Sequence, residues 1–285
     1  MIKVQLRQND GLSSGRIWLG SVVKNVQLGL VQAGHPMTAD GKFGSDTAGV
    51  VKAFQRNQGA PESGIVDRAT WSALEDDLEA ATGAEAARIA GFLGHFQGDL
   101  DWIHEKEGHR GRPYWPGGAS GVTLDPGVDL GHASPGLVEE LFGSIADSSQ
   151  MEALRGAFGI QGELANAALK ASPVIQGIRI SSDQALEMMP NAAKTYWDSI
   201  RRRFDSLVRD DTPPSVQTAL LSLAYNRGAE NSGLEVLRQL RESRKWSEVA
   251  GTIGAMQQDH SLEGIRTRRQ QEGLLVEAEI EFLAS

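Results

Sequence analysis

Three residues between positions 89 and 132 have the types and spacing for acid–base chemistry: Glu107, Thr123 and Asp129. Ile89, Phe92, Leu93, Phe96, Leu100 and Ile103 recur at steps of 3, 1, 3, 4 and 3, which predicts one sustained amphipathic helix. A further step of four reaches Glu107, just before Gly108. A carboxylate on the core-facing stripe loses solvation, and the negative end of the helix dipole repels it. Both effects favour the protonated form that a general acid requires. The plainer readings of Glu107 are a solvated carboxylate at a frayed helix end and an ion pair with Arg110.

Thr123 and Asp129 sit in Val122-Thr123-Leu124-Asp125-Pro126-Gly127-Val128-Asp129-Leu130-Gly131. The apolar residues alternate with these two polar ones, and Asp125-Pro126-Gly127 is a turn signal. If those three residues form the loop of a hairpin, Leu124 pairs with Val128 and Thr123 lies opposite Asp129 on one face. A hydroxyl and a carboxylate held together in this way can bind and orient one water. The alternative is an exposed hairpin whose polar pair has no function. Two carboxylates on separate elements, one protonated and one ionised, meet the requirement of glycoside hydrolysis.

The elements that must position these groups read as mostly helical. Leu19, Val22, Val23, Val26 and Leu30 mark a first helix, stopped near Gly34. Val50, Val51 and Phe54 mark a second, with Ser45 or Asp46 as N-cap. Trp71, Leu74 and Leu78 mark a third, capped by Asp67. Residues 75–88 carry no strong apolar stripe and read as a linker or linking helix. Further on, Val216, Ala219, Leu220, Leu223 and Ala224 form a stripe introduced by Pro213-Pro214 and closed near Asn226-Arg227-Gly228. A last helix runs from near Leu262 to Leu283.

Composition narrows the class. The chain has 285 residues, about twice the ~150-residue prior for one domain. Forty per cent apolar and 23% charged residues are ordinary for a globular chain, which excludes wholesale disorder. A net charge of −9 argues against nucleic acid as a partner. With no cysteine, disulfides and thiolate metal sites are excluded. The opening MIKVQLRQND lacks the apolar core of a secretory signal. No apolar run approaches the ~20 residues of a membrane span. The expectation is a monomer made in the cytoplasm, without stable membrane insertion, cofactor or metal.

Two resemblances sharpen this reading. Val26-Gln27, Leu30, Gly34, Asp40-Gly41-Lys42-Phe43-Gly44, Thr47, Val50, Phe54-Gln55, Gly59, Gly64-Ile65-Val66-Asp67, Thr70-Trp71 and Leu74 follow a signature nearly position by position. Residues 15–80 thereby resemble the three-helix peptidoglycan-binding domain of bacterial wall hydrolases. Glu107-Gly108 at a helix end, Tyr114, Gly121-Val122-Thr123 and Gly127-Val128-Asp129-Leu130-Gly131 resemble the phage-type lysozyme family, closest to the branch that includes the bacteriocin pesticin. That branch uses a glutamate, a threonine and an aspartate six residues after the threonine, the spacing of Thr123 and Asp129. Phage lysozymes more often carry the aspartate soon after the tyrosine. Here those positions are Trp115, Pro116 and Gly117, which strengthens Asp129 as the substitute. Asp125 is the competing carboxylate, but its place before Pro-Gly suits a turn. Leu220 to Gly228 and Gly264-Ile265-Arg266-Thr267-Arg268-Arg269 followed by Glu272 are similar to later segments of the family.

The resemblance implies a mainly α protein: a small three-helix wall-binding domain (1–80), a linker (81–88) and an α+β lysozyme-like domain with a short β-hairpin (89–285). It implies a muramidase acting on bacterial peptidoglycan, with Glu107, Asp129 and Thr123 catalytic. Tyr114 would contact substrate, with Arg268 or Arg269 and Asn226 in support. An arginine near Glu107 would oppose the protonation argued above. Surface charge on a terminal helix is the other reading of either arginine. A phage endolysin is the expected setting. The alternatives are a secreted antibacterial effector with the same chemistry, a lytic transglycosylase and a non-catalytic wall-binding protein. Holding the polymer at two sites raises its effective concentration, so removal of residues 1–80 is expected to weaken action on whole walls more than on soluble fragments.

Three other signals point elsewhere and are weak. His104-Glu105-Lys106-Glu107-Gly108-His109 has its histidines five apart, about 500° of regular helix, so they should diverge by about 140° rather than share a zinc ion. Gly117-Gly118-Ala119-Ser120-Gly121 lacks the lysine of a phosphate loop. Arg201-Arg202-Arg203 reads as a solvated helix face.

Overall fold

The computed structural model describes residues 1–203, 212–242 and 244–285. Its elements run, after a 3-10 turn at Ile17–Leu19, as α1 (Gly20–Gln32), α2 (Ser45–Asn57), α3 (Arg68–Ala73), α4 (Glu75–Phe92) and α5 (Leu100–Glu107). The hairpin β1 (Thr123–Leu124) and β2 (Val128–Asp129) follows. Then come α6 (Pro135–Phe142), α7 (Ser148–Arg155), α8 (Gly162–Ala171), α9 (Pro173–Gln176) and α10 (Ser182–Arg203). The chain ends with α11 (Pro214–Arg227), α12 (Gly233–Glu242), α13 (Trp246–Ala255) and α14 (Glu263–Ala284). The fold is mainly α, as expected, and β1–β2 is the sole sheet among the described residues. No helix among them is long and apolar enough to cross a membrane.

These elements form two units, Met1–Trp102 with Tyr196–Ser285, and Ile103–Thr195. This division differs from the boundaries at 80 and 89 read from the sequence. Residues 81–88 lie inside the continuous helix α4.

In the first unit, two buried glutamines hold the turns that follow their helices. Gln27 on α1 donates to Asp40, the Lys42 carbonyl and Thr47, and its own carbonyl accepts from Gly41 N at 2.8 Å. Gln55 on α2 does the same with Ser63, the Ile65 carbonyl and Thr70, and accepts from Gly64 N at 2.9 Å. A buried amide must satisfy its donors and acceptor, so each glutamine selects one loop conformation. This explains why Val26-Gln27 and Phe54-Gln55 belong to the module's signature. Asp67 caps α3 as expected, accepting from Thr70 N at 2.9 Å.

Four local expectations fail for identifiable reasons. The N-cap of α2 is Gly44, not Ser45 or Asp46; Asp46 lies in the first turn, where its charge suits the helix dipole. The third helix breaks at Leu74, the shared cap of α3 and α4. The helix predicted from Ile89 to Ile103 is two helices. Gly94 (φ 62°) and His95 (φ 66°) turn the chain after α4, and Asp99 accepts from Trp102 N at 2.9 Å to restart it as α5. Leu93, Phe96, Leu100 and Ile103 are nevertheless buried, so the apolar period reported burial correctly and continuity wrongly. The arginine run at the end of α10 is only partly a solvated face, because Arg203 lies 3.5 Å from Glu235.

The C-terminal expectations hold. α11 begins at Pro214 and stops where Gly228 takes φ 82°, and α14 starts one residue after Leu262. Their facing sides carry a buried ionic cluster described below.

Candidate active site

Glu107 is the last residue of α5. Gly108 follows at φ 72°, a conformation open to glycine without strain, and turns the chain out of the helix. That turn also corrects the histidine argument. His109 is no longer on the helix, and its ring lies 6.3 Å from that of His104. Among the described residues, no group of three His, Cys, Asp or Glu side chains could hold a metal ion.

The hairpin has the expected register, with Thr123 opposite Asp129 and Leu124 opposite Val128. Tyr114 adds a third strand-like rung. Its N–H donates to the Thr123 carbonyl at 2.9 Å, and Thr123 N–H returns to its carbonyl at 2.7 Å. Gly121 clasps the polar pair. Its carbonyl accepts the Thr123 hydroxyl at 3.3 Å, and its N–H donates to Asp129 Oδ1 at 2.8 Å. Gly131 N donates to the same oxygen at 2.8 Å. These charge-assisted bonds fix the carboxylate plane. A Cβ at residue 121 would lie 2.6 Å from that oxygen, so only glycine admits the carboxylate here. Asp129 Oδ2 is left with the approach of His132 Nε2 at 4.0 Å, and the side chain is 22% exposed.

Asp125 plays a different part. It is 2% exposed and spends its Oδ2 on Arg110 N at 3.0 Å and Gly111 N at 2.6 Å, with His109 Nδ1 at 3.2 Å. Buried behind these donors, it is a poor place to activate water.

Tyr114 registers how these groups are grouped. Burial raises its phenol above the ordinary value, and the Arg110 guanidinium, 4.1 Å over its ring, pulls it back. The charges of Asp125, Glu107 and Asp129 add to the rise. Tyr114 and all three carboxylates belong to one unit.

The remaining predicted residues form a cluster in the other unit. Arg269 on α14 lies 3.4 Å from Asn226 Oδ1 and 2.9 Å from Glu272 Oε1. Arg268 donates to Ser222 Oγ on α11 at 2.9 Å and lies 3.4 Å from Glu272. Glu272 is fully buried, and burial raises its carboxyl, against the lowering charges of Arg269 and Arg268. The sequence reading did not separate the two arginines, and both turn out to serve one carboxylate. It gave Glu272 no role, and it missed Arg110 over Tyr114. Both were visible only as charged residues near a motif.

Comparison with known families matches residues 20–74 to the family described as putative peptidoglycan binding domain. Residues 159–272 match the family described as phage lysozyme. The second match begins after Glu107, Thr123 and Asp129, so it carries no residue of that trio. No curated protein matches the chain. Among solved structures the chain is similar to the crystal structure of the Burkholderia AP3 phage endolysin, at 18% identity over 99% of this chain and 100% of that one, with a TM-score of 0.22. At that score the likeness carries no structural argument. The two family matches, residues 20–74 and 159–272 of a mainly helical chain, support a modular peptidoglycan hydrolase that joins a peptidoglycan-binding domain to a lysozyme-type glycoside hydrolase.

Proposed function

We propose that the enzyme cleaves the β-1,4 bond between N-acetylmuramic acid and N-acetylglucosamine by single displacement, as a phage endolysin that acts on the wall. Glu107 protonates the leaving glycosidic oxygen. Asp129 Oδ2 takes a proton from water, which the Thr123 hydroxyl helps to place on the opposite sugar face. Attack without a covalent intermediate inverts the anomeric centre, and it needs a carboxyl separation of roughly 6.5–9.5 Å. The observation that supports this reading is the ribbon beside α5 in one unit: Thr123 lies opposite Asp129, whose Oδ1 is held by the Gly121 and Gly131 amides, and Glu107 ends the helix that precedes it in the same unit.

Tyr114 and Arg110 line the substrate side in this reading. Arg268, Arg269 and Asn226 support the fold of their own unit through the Glu272 cluster, and the N-terminal domain holds a second stretch of the same polymer. Mass spectrometry of digested wall tests the chemistry. Hydrated reducing-end muropeptides are expected. Anhydro-sugar ends would instead assign a lytic transglycosylase that uses Glu107 alone.

A further inference from the structure

Between the proposed acid and the ribbon that carries the proposed base lies a loop with little stiffness of its own. Residues 108–111 contain two glycines at positive φ, Gly108 at 72° and Gly111 at 68°. Glycine backbones sample more conformations than any other, so the turn after α5 depends on contacts from outside it for a single conformation. Yet the proposed chemistry needs Glu107 held to a fraction of an ångström relative to Asp129.

One buried side chain ties this turn to the ribbon. Asp125 Oδ2 accepts from the Arg110 and Gly111 amides and meets His109 Nδ1. Two successive amides on one carboxylate oxygen form a nest-like anion grip. The same residue opens the hairpin turn, which Gly127 N closes on the Leu124 carbonyl at 2.8 Å. Asp125 is thus two residues from Thr123 and four from Asp129 along the ribbon. On the far side of the loop, Ile180 N donates to the Gly111 carbonyl at 3.1 Å, so Gly111 is held at both its polar atoms.

We infer that Asp125 is a positioning residue, the tie that fixes the turn after Glu107 to the ribbon bearing Thr123 and Asp129. This rests on the proposed roles of Glu107 and Asp129. The tie acts through hydrogen-bond geometry more than through charge. An asparagine can present its amide oxygen to the same two N–H groups. A glutamate keeps the charge but moves the oxygen by a methylene.

The test compares Asp125→Ala, Asp125→Asn and Asp125→Glu on a soluble glycan fragment, with Glu107→Gln measured beside them. Positioning predicts that kcat falls about 10–100-fold in the alanine and glutamate variants while KM stays within about twofold, and that asparagine restores most of kcat. Amide hydrogen exchange at Arg110 and Gly111 should rise in the same order. If the alanine variant does not fold, the ranking of asparagine above glutamate still decides. A folded alanine or glutamate variant with wild-type kcat overturns the inference, as does a glutamate variant more active than the asparagine variant. An active Glu107→Gln protein would overturn the proposed function itself, and the exchange rates at the two amides would still report whether the tie exists.

Discussion

Thr123 and Asp129 face each other as directly paired residues across β1 and β2, and Gly121 joins them by accepting from the hydroxyl of one and donating to the carboxylate of the other. The pair can therefore be tested without disturbing its frame. In Asp129→Asn the amide oxygen still accepts from Gly121 and Gly131, so the melting temperature should stay within a few degrees of wild type. Activity should fall about 100–10,000-fold, the range of lost general base catalysis. Turbidity clearing of purified walls, with a thermal melt as control, checks both. Clearing within threefold of wild type would remove Asp129 from the mechanism.

The hairpin register was legible because period-2 alternation, a Pro-Gly turn and two polar residues agree on one pairing. Glu107 was placed at a helix end by the apolar step and Gly108. The helix leading to it was misjudged, since Leu93 and Leu100 keep helical spacing across a break made by Gly94, His95 and Asp99. Periodicity records which side chains are buried, not whether the backbone between them stays helical. The Asp125 tie was less visible still. It joins side chain to backbone amides 14 and 15 positions away, and amides carry no residue identity. The mixing of N- and C-terminal segments in one unit is likewise invisible to composition.

Glu272 is the shared partner of two arginines in a buried setting. Removing one member of such a set leaves desolvated charge behind. Glu272→Ala should lose about 3–5 kcal/mol of stability in urea unfolding. A loss below about 1 kcal/mol would show that water reaches the cluster.

Asp99 gives a pH-dependent prediction. Burial, and then the neighbouring Asp101, push its carboxyl from 3.8 up to about 6. The native state therefore binds a proton that the unfolded chain has released between those values. The fold is favoured by this group at low pH, and that contribution is lost as pH rises through about 6. Asp99→Asn retains an oxygen for Trp102 N and removes the buried charge. It should stabilise the protein at pH 8, by at most ~3 kcal/mol, and leave it unchanged near pH 3.5. Thermal melts across that range check the sign; stabilisation that grows as pH falls would contradict it.

The N-terminal domain is not a detachable tether. Trp102 Nε1 donates to the Trp18 carbonyl at 2.8 Å, and Glu279 on α14 accepts from Lys3 N at 3.1 Å and Ser215 N at 2.8 Å. Arg68 donates to the Phe282 carbonyl. A chain lacking residues 1–80 should lose cooperative unfolding and activity on walls and soluble fragments alike. A truncated protein that melts cooperatively and keeps full fragment activity would contradict this, and would restore truncation as a clean assay of tethering.

The most direct measurement is peptidoglycan hydrolysis by Glu107→Gln. The substitution keeps the shape of the side chain and removes the transferable proton. A folded variant is expected to release reducing ends at least ~1,000-fold more slowly than wild type, at every pH from 5 to 8. Hydrolysis at an undiminished rate by that folded variant would contradict the assignment of Glu107 as the acid and, with it, the mechanism.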